Sequence, residues 1–166
     1  MAMILTIDAS VAVKFIIDEP GSDQARQYLP KRRGNFVENE HILTAPIHIL
    51  LEVHNTLAKK FRKSLIDFTP LNIAHSLLKR RFRLDLIDIE LVEKSRLISL
   101  HADFNSTANA FPIEVSRSPF NIYDCIYIAH AQKFGTILVT ADRQLARIAK
   151  DGFAIPVELI SPAQPA

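Results

Sequence analysis

Along this chain, short runs of apolar and β-branched residues alternate with longer stretches whose apolar positions recur every three to four residues. The first run, Ile4-Leu5-Thr6-Ile7, stops at Asp8 and reads as a strand. Asp8-Ala9-Ser10 suits a helix start over 11–17, closed by Asp18-Glu19-Pro20-Gly21. A second helix over 22–29 leads into a polar, basic loop. Residues 42–45 form another short strand, and Pro46 suits the first turn of a helix running to about Phe61. Thr69-Pro70 opens a helix to about Phe82, followed by a strand over 84–89 and a helix over 90–100. A helix over 123–134 stops at Gly135, then come a buried strand over 136–140, a capped helix over 142–150 and a last strand over 155–159. Strands alternating with helices predict an α/β fold, a three-layer sandwich whose central, mainly parallel sheet is flanked by helices. Sites in such sheets form beyond the carboxyl ends of strands, so Asp8 and Asp142 project towards one rim.

Residues 101–121 break this rhythm: they are polar, interrupted by Pro112 and Pro119, with an apolar island over 111–115. They read as an irregular insertion within a single domain over 1–160, and 161–166 read as a disordered tail. There is no internal repeat. A chain of 166 residues fits one domain with its own core and needs no disulfide or metal to fold. The single cysteine, Cys125, sits in the apolar context Asp124-Cys125-Ile126-Tyr127-Ile128, which predicts burial and suits a reducing cytoplasm. No apolar run approaches a membrane span, so the expectation is a soluble cytoplasmic protein without a membrane partner. A net charge of +2 does not by itself announce a nucleic-acid binder. The basic residues are clustered, however, at 31–33, 59–63, 79–83 and Arg143/Arg147/Lys150. Such clusters track a phosphate backbone, or simply complement the dipole at helix C-termini.

Four acidic residues stand out by position. Asp8, Asp124 and Asp142 each lie near a predicted helix start, where capping alone rewards aspartate by ~0.5–2 kcal/mol. Glu52 lies inside the predicted 46–61 helix among Ile49, Leu50, Leu51 and Val53, where no helix end explains it. It either faces solvent or points into a cleft with the other carboxylates. Converging carboxylates repel one another unless a cation neutralises them, and hard divalent ions prefer an oxygen-only shell. Zinc is not indicated. His48 and Glu52 are four apart and His54 follows, but there is no His-Glu-x-x-His motif and no cysteine pair. Four glycines leave no phosphate-cradling loop. A phosphoryl-transfer reading of Asp8 fails because position 10 is serine rather than aspartate.

The stretch Ile7-Asp8-Ala9-Ser10-Val11-Ala12-Val13-Lys14-Phe15 resembles the opening motif of PIN domains, above all the VapC-type toxins. Glu52 in Leu50-Leu51-Glu52-Val53 matches the second acidic position of that family. Residues 123–131, from Tyr123-Asp124 to His130-Ala131, resemble the third motif, and Leu138-Val139-Thr140-Ala141-Asp142-Arg143-Gln144-Leu145 the fourth. The resemblance covers 4–148 and departs from the family pattern only in the long segment 101–121. It implies a PIN-like sandwich and Mg²⁺- or Mn²⁺-dependent endonucleolytic cleavage of RNA. Asp8, Glu52 and Asp124 would be metal ligands and catalytic residues, with Asp142 completing the set directly or through water. Ser10 and Thr140 would orient carboxylates or water through their hydroxyls. The expected partners are an RNA substrate, a small antitoxin protein and a second copy in a homodimer. The rival expectation is a PIN-like RNA- or protein-binding module without catalysis.

Overall fold

The computed structural model describes residues 3–29, 32–33, 36–37, 41–107 and 121–161. The elements run β1 (Ile4–Ile7), α1 (Ala9–Ile16), α2 (Ser22–Arg26), β2 (Arg32–Arg33), β3 (Phe36–Val37) and β4 (Ile42–Pro46). They continue α3 (Ile49–Arg62), α4 (Thr69–Arg81), β5 (Phe82–Asp85), α5 (Ile89–Thr107) and α6 (Ile122–Phe134). The chain ends β6 (Ile137–Thr140), α7 (Arg143–Arg147), a π-helical turn over Ile148–Gly152, and β7 (Val157–Leu159). Five strands form one sheet in the order β5-β4-β1-β6-β7, every pair parallel, and β2 and β3 form a separate antiparallel pair. The chain moves from β1 out through β4 to β5, then returns to the other side of β1. The crevice between β1 and β6 is therefore the topological switch point, where parallel sheets place their sites.

Alternation along β1 assigns the faces. Thr6 Oγ1 meets His130 Nδ1 of α6 at 3.0 Å, so Thr6 faces α6, which packs on β1, β4 and β6 and carries α5 behind it. Leu5 and Ile7, fully buried, face the other way. On the α6 side a buried polar chain crosses the sheet. His130 Nε2 lies 3.1 Å from Asp85 Oδ2, which also accepts from Thr44 Oγ1 at 2.6 Å, while Thr6 Oγ1 pairs with Thr136 Oγ1 at 2.5 Å. Gly135 takes φ 61°, the left-handed conformation that ends α6 and turns it into β6.

The three-layer parallel arrangement is the one expected, and several boundaries differ. Helix α5 extends through Thr107, so 101–107 are helical rather than irregular, while 108–120 lie outside the described residues. Pro46 ends β4 rather than opening a helix. The ladder bond to Asp85 O comes from Ile47 N–H at 2.9 Å, so no donor is needed from the proline. Strand β5 starts two residues early, at Phe82, and stops at Asp85. Helix α2 ends at Arg26, and the basic loop after it holds the β2–β3 pair. Of the tail expected to be disordered, Ser161 is described, its N–H donating to Gln24 Oε1 at 3.2 Å; 162–166 lie outside the described residues. Cys125 is buried, as its context predicts. Among the described residues no helix is long and apolar enough to cross a membrane.

Candidate active site

Asp8 sits where β1 gives way to α1. Its Oδ1 accepts from Val11 N–H at 3.1 Å as the N-cap of α1, and from Ser10 Oγ at 2.5 Å. Its Oδ2 accepts from Thr140 Oγ1, at the end of β6, at 2.5 Å. Burial of this carboxyl raises its pKa, against the pull of the Ser10 and Thr140 hydroxyls and the backbone N–H groups. Ser10 Oγ in turn accepts from Ala141 N–H at 2.9 Å, and Thr140 Oγ1 accepts from Asp142 N–H at 3.0 Å. The two hydroxyls thus lace the carboxyl ends of β1 and β6 together around the Asp8 carboxylate.

Asp142 is exposed and caps α7: its Oδ1 accepts from Gln144 N–H at 2.7 Å and Leu145 N–H at 3.0 Å. For Asp8 and Asp142 capping is real, and it does not compete with a second role. Asp8 adds a hydroxyl from another strand, and Asp142 Oδ2 accepts no hydrogen bond among the described residues. Asp124 is not a cap, because Asn121 caps α6 through Tyr123 N–H at 3.1 Å. Glu52 proves to lie in the first turn of α3, since the helix begins at Ile49, but its carboxylate serves no backbone N–H. Its Oε2 accepts from Tyr127 Oη at 2.5 Å, and His48 Nε2 stands 3.4 Å away, near enough for attraction but without hydrogen-bond geometry. Burial opposes ionisation of Glu52, yet His48 and the Tyr127 hydroxyl outweigh it and hold the carboxyl below its ordinary range.

Asp124 feels the other three carboxylates. Asp124, half-buried, is pushed up to about 6 by desolvation first, then by Glu52, with Asp142 and Asp8 adding to the shift. Burial, then Glu52, with Asp8 and Asp124 behind, drives Tyr127 well above its usual value, so its phenol stays a donor. Asp124 on α6 thus lies within electrostatic reach of Asp8 after β1, Glu52 on α3 and Asp142 after β6. Among the described residues no three His, Cys, Asp or Glu side chains already form a metal-holding group. The four carboxylates offer oxygen donors of the kind that a hard divalent cation takes. His54, weighed as a zinc ligand, turns to Leu50 O at 2.7 Å instead. The partners of Glu52 were not anticipated. Tyr127 lies three residues after Asp124 in the third motif, and that spacing on α6 was the signal available for it.

The family model for the PIN domain matches residues 5–151. No curated protein matches by sequence. Among solved structures, VapBC2 from Rickettsia felis, bound to a DNA fragment from its promoter, superposes with a TM-score of 0.58 at 14% identity, covering 95% of this chain and 98% of that one. VapC20 of Mycobacterium tuberculosis, a toxin that cleaves the sarcin–ricin loop, gives 0.54 at 13% identity over 85% of this chain and 92% of its own. A toxin–antitoxin complex from Klebsiella pneumoniae gives 0.52 at 13% identity, covering 87% and 92% respectively. At such identities the likeness is one of fold.

Proposed function

The chain belongs to the PIN-domain family, and from that premise we propose that it is a Mg²⁺- or Mn²⁺-dependent endoribonuclease, the toxin of a toxin–antitoxin pair. The observation that carries this reading is the setting of Asp124, whose carboxyl is pushed up to about 6 by burial first and then by the charges of Glu52, Asp142 and Asp8. Asp8, Glu52 and Asp124 would hold the cation, with Asp142 completing the pocket directly or through water. When bound, such a cation supplies Lewis acidity, easing deprotonation of water and stabilising charge on phosphoryl oxygens. The chain's own side chains do the positioning. Ser10 and Thr140 fix Asp8, Tyr127 fixes Glu52, and the α7 cap fixes Asp142. Attack of water on phosphorus, in line with the departing 3′-oxygen, leaves 5′-phosphate and 3′-hydroxyl ends.

The names of the relatives agree with this assignment: one is a toxin that cleaves the sarcin–ricin loop, and another is a toxin–antitoxin complex. By analogy the partners are an RNA, a second copy of this chain, and a small antitoxin that places a basic side chain in the acidic pocket. A second reading, a PIN-like binding module without catalysis, is favoured by two observations. No metal-holding triad is assembled among the described residues, and both Asp8 oxygens are engaged by the protein. Total cellular RNA treated with protein and Mn²⁺, with fragments mapped by their 5′ ends, separates the two. The nuclease yields 5′-phosphorylated ends, and Asp124→Asn lowers the rate by more than ~100-fold, since even residues that only support a ligand are worth ~10–100-fold. Cleavage that persists undiminished in both Asp8→Asn and Asp124→Asn would belong to a contaminant and leave the binding module.

A further inference from the structure

Helix α3 presents two stripes. Ile49, Val53 and Leu57 recur at i, i+4 and i+8 and are fully buried. His48, Glu52, Asn55 with Thr56, and Lys59 recur on another stripe and form one wall of a groove of about 400 Å³, into which Tyr123 also projects. The volume lies within the usual range for a small-ligand site. Glu52, one of the four carboxylates, lines the groove, so whatever occupies it adjoins that carboxylate.

His48 gives this groove a built polar feature. It is 7% exposed and lines the groove; its Nε2 stands 3.4 Å from Glu52 Oε2 without hydrogen-bond geometry, and its Nδ1 has no partner among the described residues. Buried polar atoms left unpaired are rare and costly, and they point to a ligand that pairs them. The His48 ring stands 4.7 Å from the buried Tyr127 ring and 6.1 Å from Tyr123, tilted 33° to the latter, so an aromatic row runs from Glu52 out to solvent. Tyr123 is 51% exposed, a large ring left open at the mouth. Lys59 is exposed there too and makes no ion pair among the described residues.

We infer that this groove is a nucleotide subsite, holding the nucleotide next to the scissile phosphate. The base stacks on Tyr123, His48 with Asn55 and Thr56 meets its hydrogen-bonding edge, and Lys59 receives the neighbouring phosphate. An exposed aromatic face beside amide and hydroxyl groups and a single cation is the chemistry by which single-stranded RNA is held. An amphipathic protein helix would need an apolar floor, and apart from Leu51 and the Tyr123 ring this wall is polar. The inference rests on the nuclease reading and refines it.

The test uses a fluorescein-labelled, mixed-sequence RNA hexamer, with Ca²⁺ in place of Mn²⁺ to slow cleavage, and reads anisotropy. Tyr123→Leu weakens binding by about tenfold or more and Tyr123→Phe keeps it near wild type, as expected for one stacked base. Lys59→Gln lowers the slope of log affinity against log salt by about 0.7, the share of one phosphate contact on a single strand. Circular dichroism confirms that each variant is folded. Failure of the hexamer to bind wild type, or binding indifferent to Tyr123→Leu, overturns the subsite. A protein occupant would show as that indifference together with loss of partner co-purification by Tyr123→Leu. Stabilisation by Mn²⁺, measured on the same wild-type preparation, separates the two claims. If it survives while the hexamer result fails, the subsite falls alone; if neither holds, both fall.

Discussion

Asp124 and His130 lie six positions apart on α6, and their protonation is governed by opposite arrangements. Around Asp124, desolvation and three carboxylates act in one direction and favour the proton. Around His130, burial disfavours the charged ring, and the bond to Asp85 restores only part of the loss, so the imidazole lies below its ordinary pKa. That depression has a sign that can be measured. As pH falls below about 6.5, the unfolded chain takes up a proton that the folded protein resists, so stability declines on acidification. Above that range His130 contributes no slope. His130→Gln, followed by urea unfolding between pH 7.5 and 5, is expected to remove up to ~1.4 kcal/mol per pH unit of that slope. An unchanged slope in the variant would mean that the ring titrates equally in both states. The partnership was not legible in the sequence, since Thr6, Asp85 and His130 are far apart along the chain and only the closed sheet joins them. Ser10 and Thr140 were legible as orienting hydroxyls only through the motifs they sit in, and the bond from Thr140 to Asp8 needed the closed sheet.

At the scale of elements, Asp142 separates a helix cap from a site charge. Both N–H bonds in the cap fall on Oδ1, and asparagine caps about as well as aspartate. Asp142→Asn should therefore unfold at nearly the wild-type urea midpoint, whereas Asp142→Ala should cost about 1 kcal/mol. Equal losses in both variants would show that charge, not capping, holds the start of α7. Periodicity located α5 through its buried Leu91, Ser95 and Ile98, which recur at i, i+4 and i+7. It lost the helix at His101, where the stretch turns mostly polar, with only Ala102 and Phe104 apolar, although the backbone stays helical through Thr107. Proline misled in the opposite direction. Its fixed φ suits a helix start and the end of a strand alike, and which one Pro46 occupies depends on the β5 ladder.

The whole molecule explains why the acidic residues meet at all. Reversal of strand order at β1 opens the crevice that Asp8 and the β6 turn border, and α3 and α6 bring Glu52 and Asp124 to the same rim. The parallel sheet was predictable from alternating strands and helices, and the acidic set from its four motifs taken in order. The pairing of Glu52 with Tyr127 needed the fold, since the two stand on different helices, 75 residues apart. The central claim is that this rim binds a divalent cation, and thermal unfolding with and without millimolar Mn²⁺ tests it most directly. Binding to the folded state alone adds ~2.7 kcal/mol at a hundredfold excess over Kd, a shift of several degrees in Tm. The account predicts that shift for wild type and its near-complete loss in Asp8→Asn and in Asp124→Asn. A folded, partner-free wild type whose Tm ignores Mn²⁺ would contradict it.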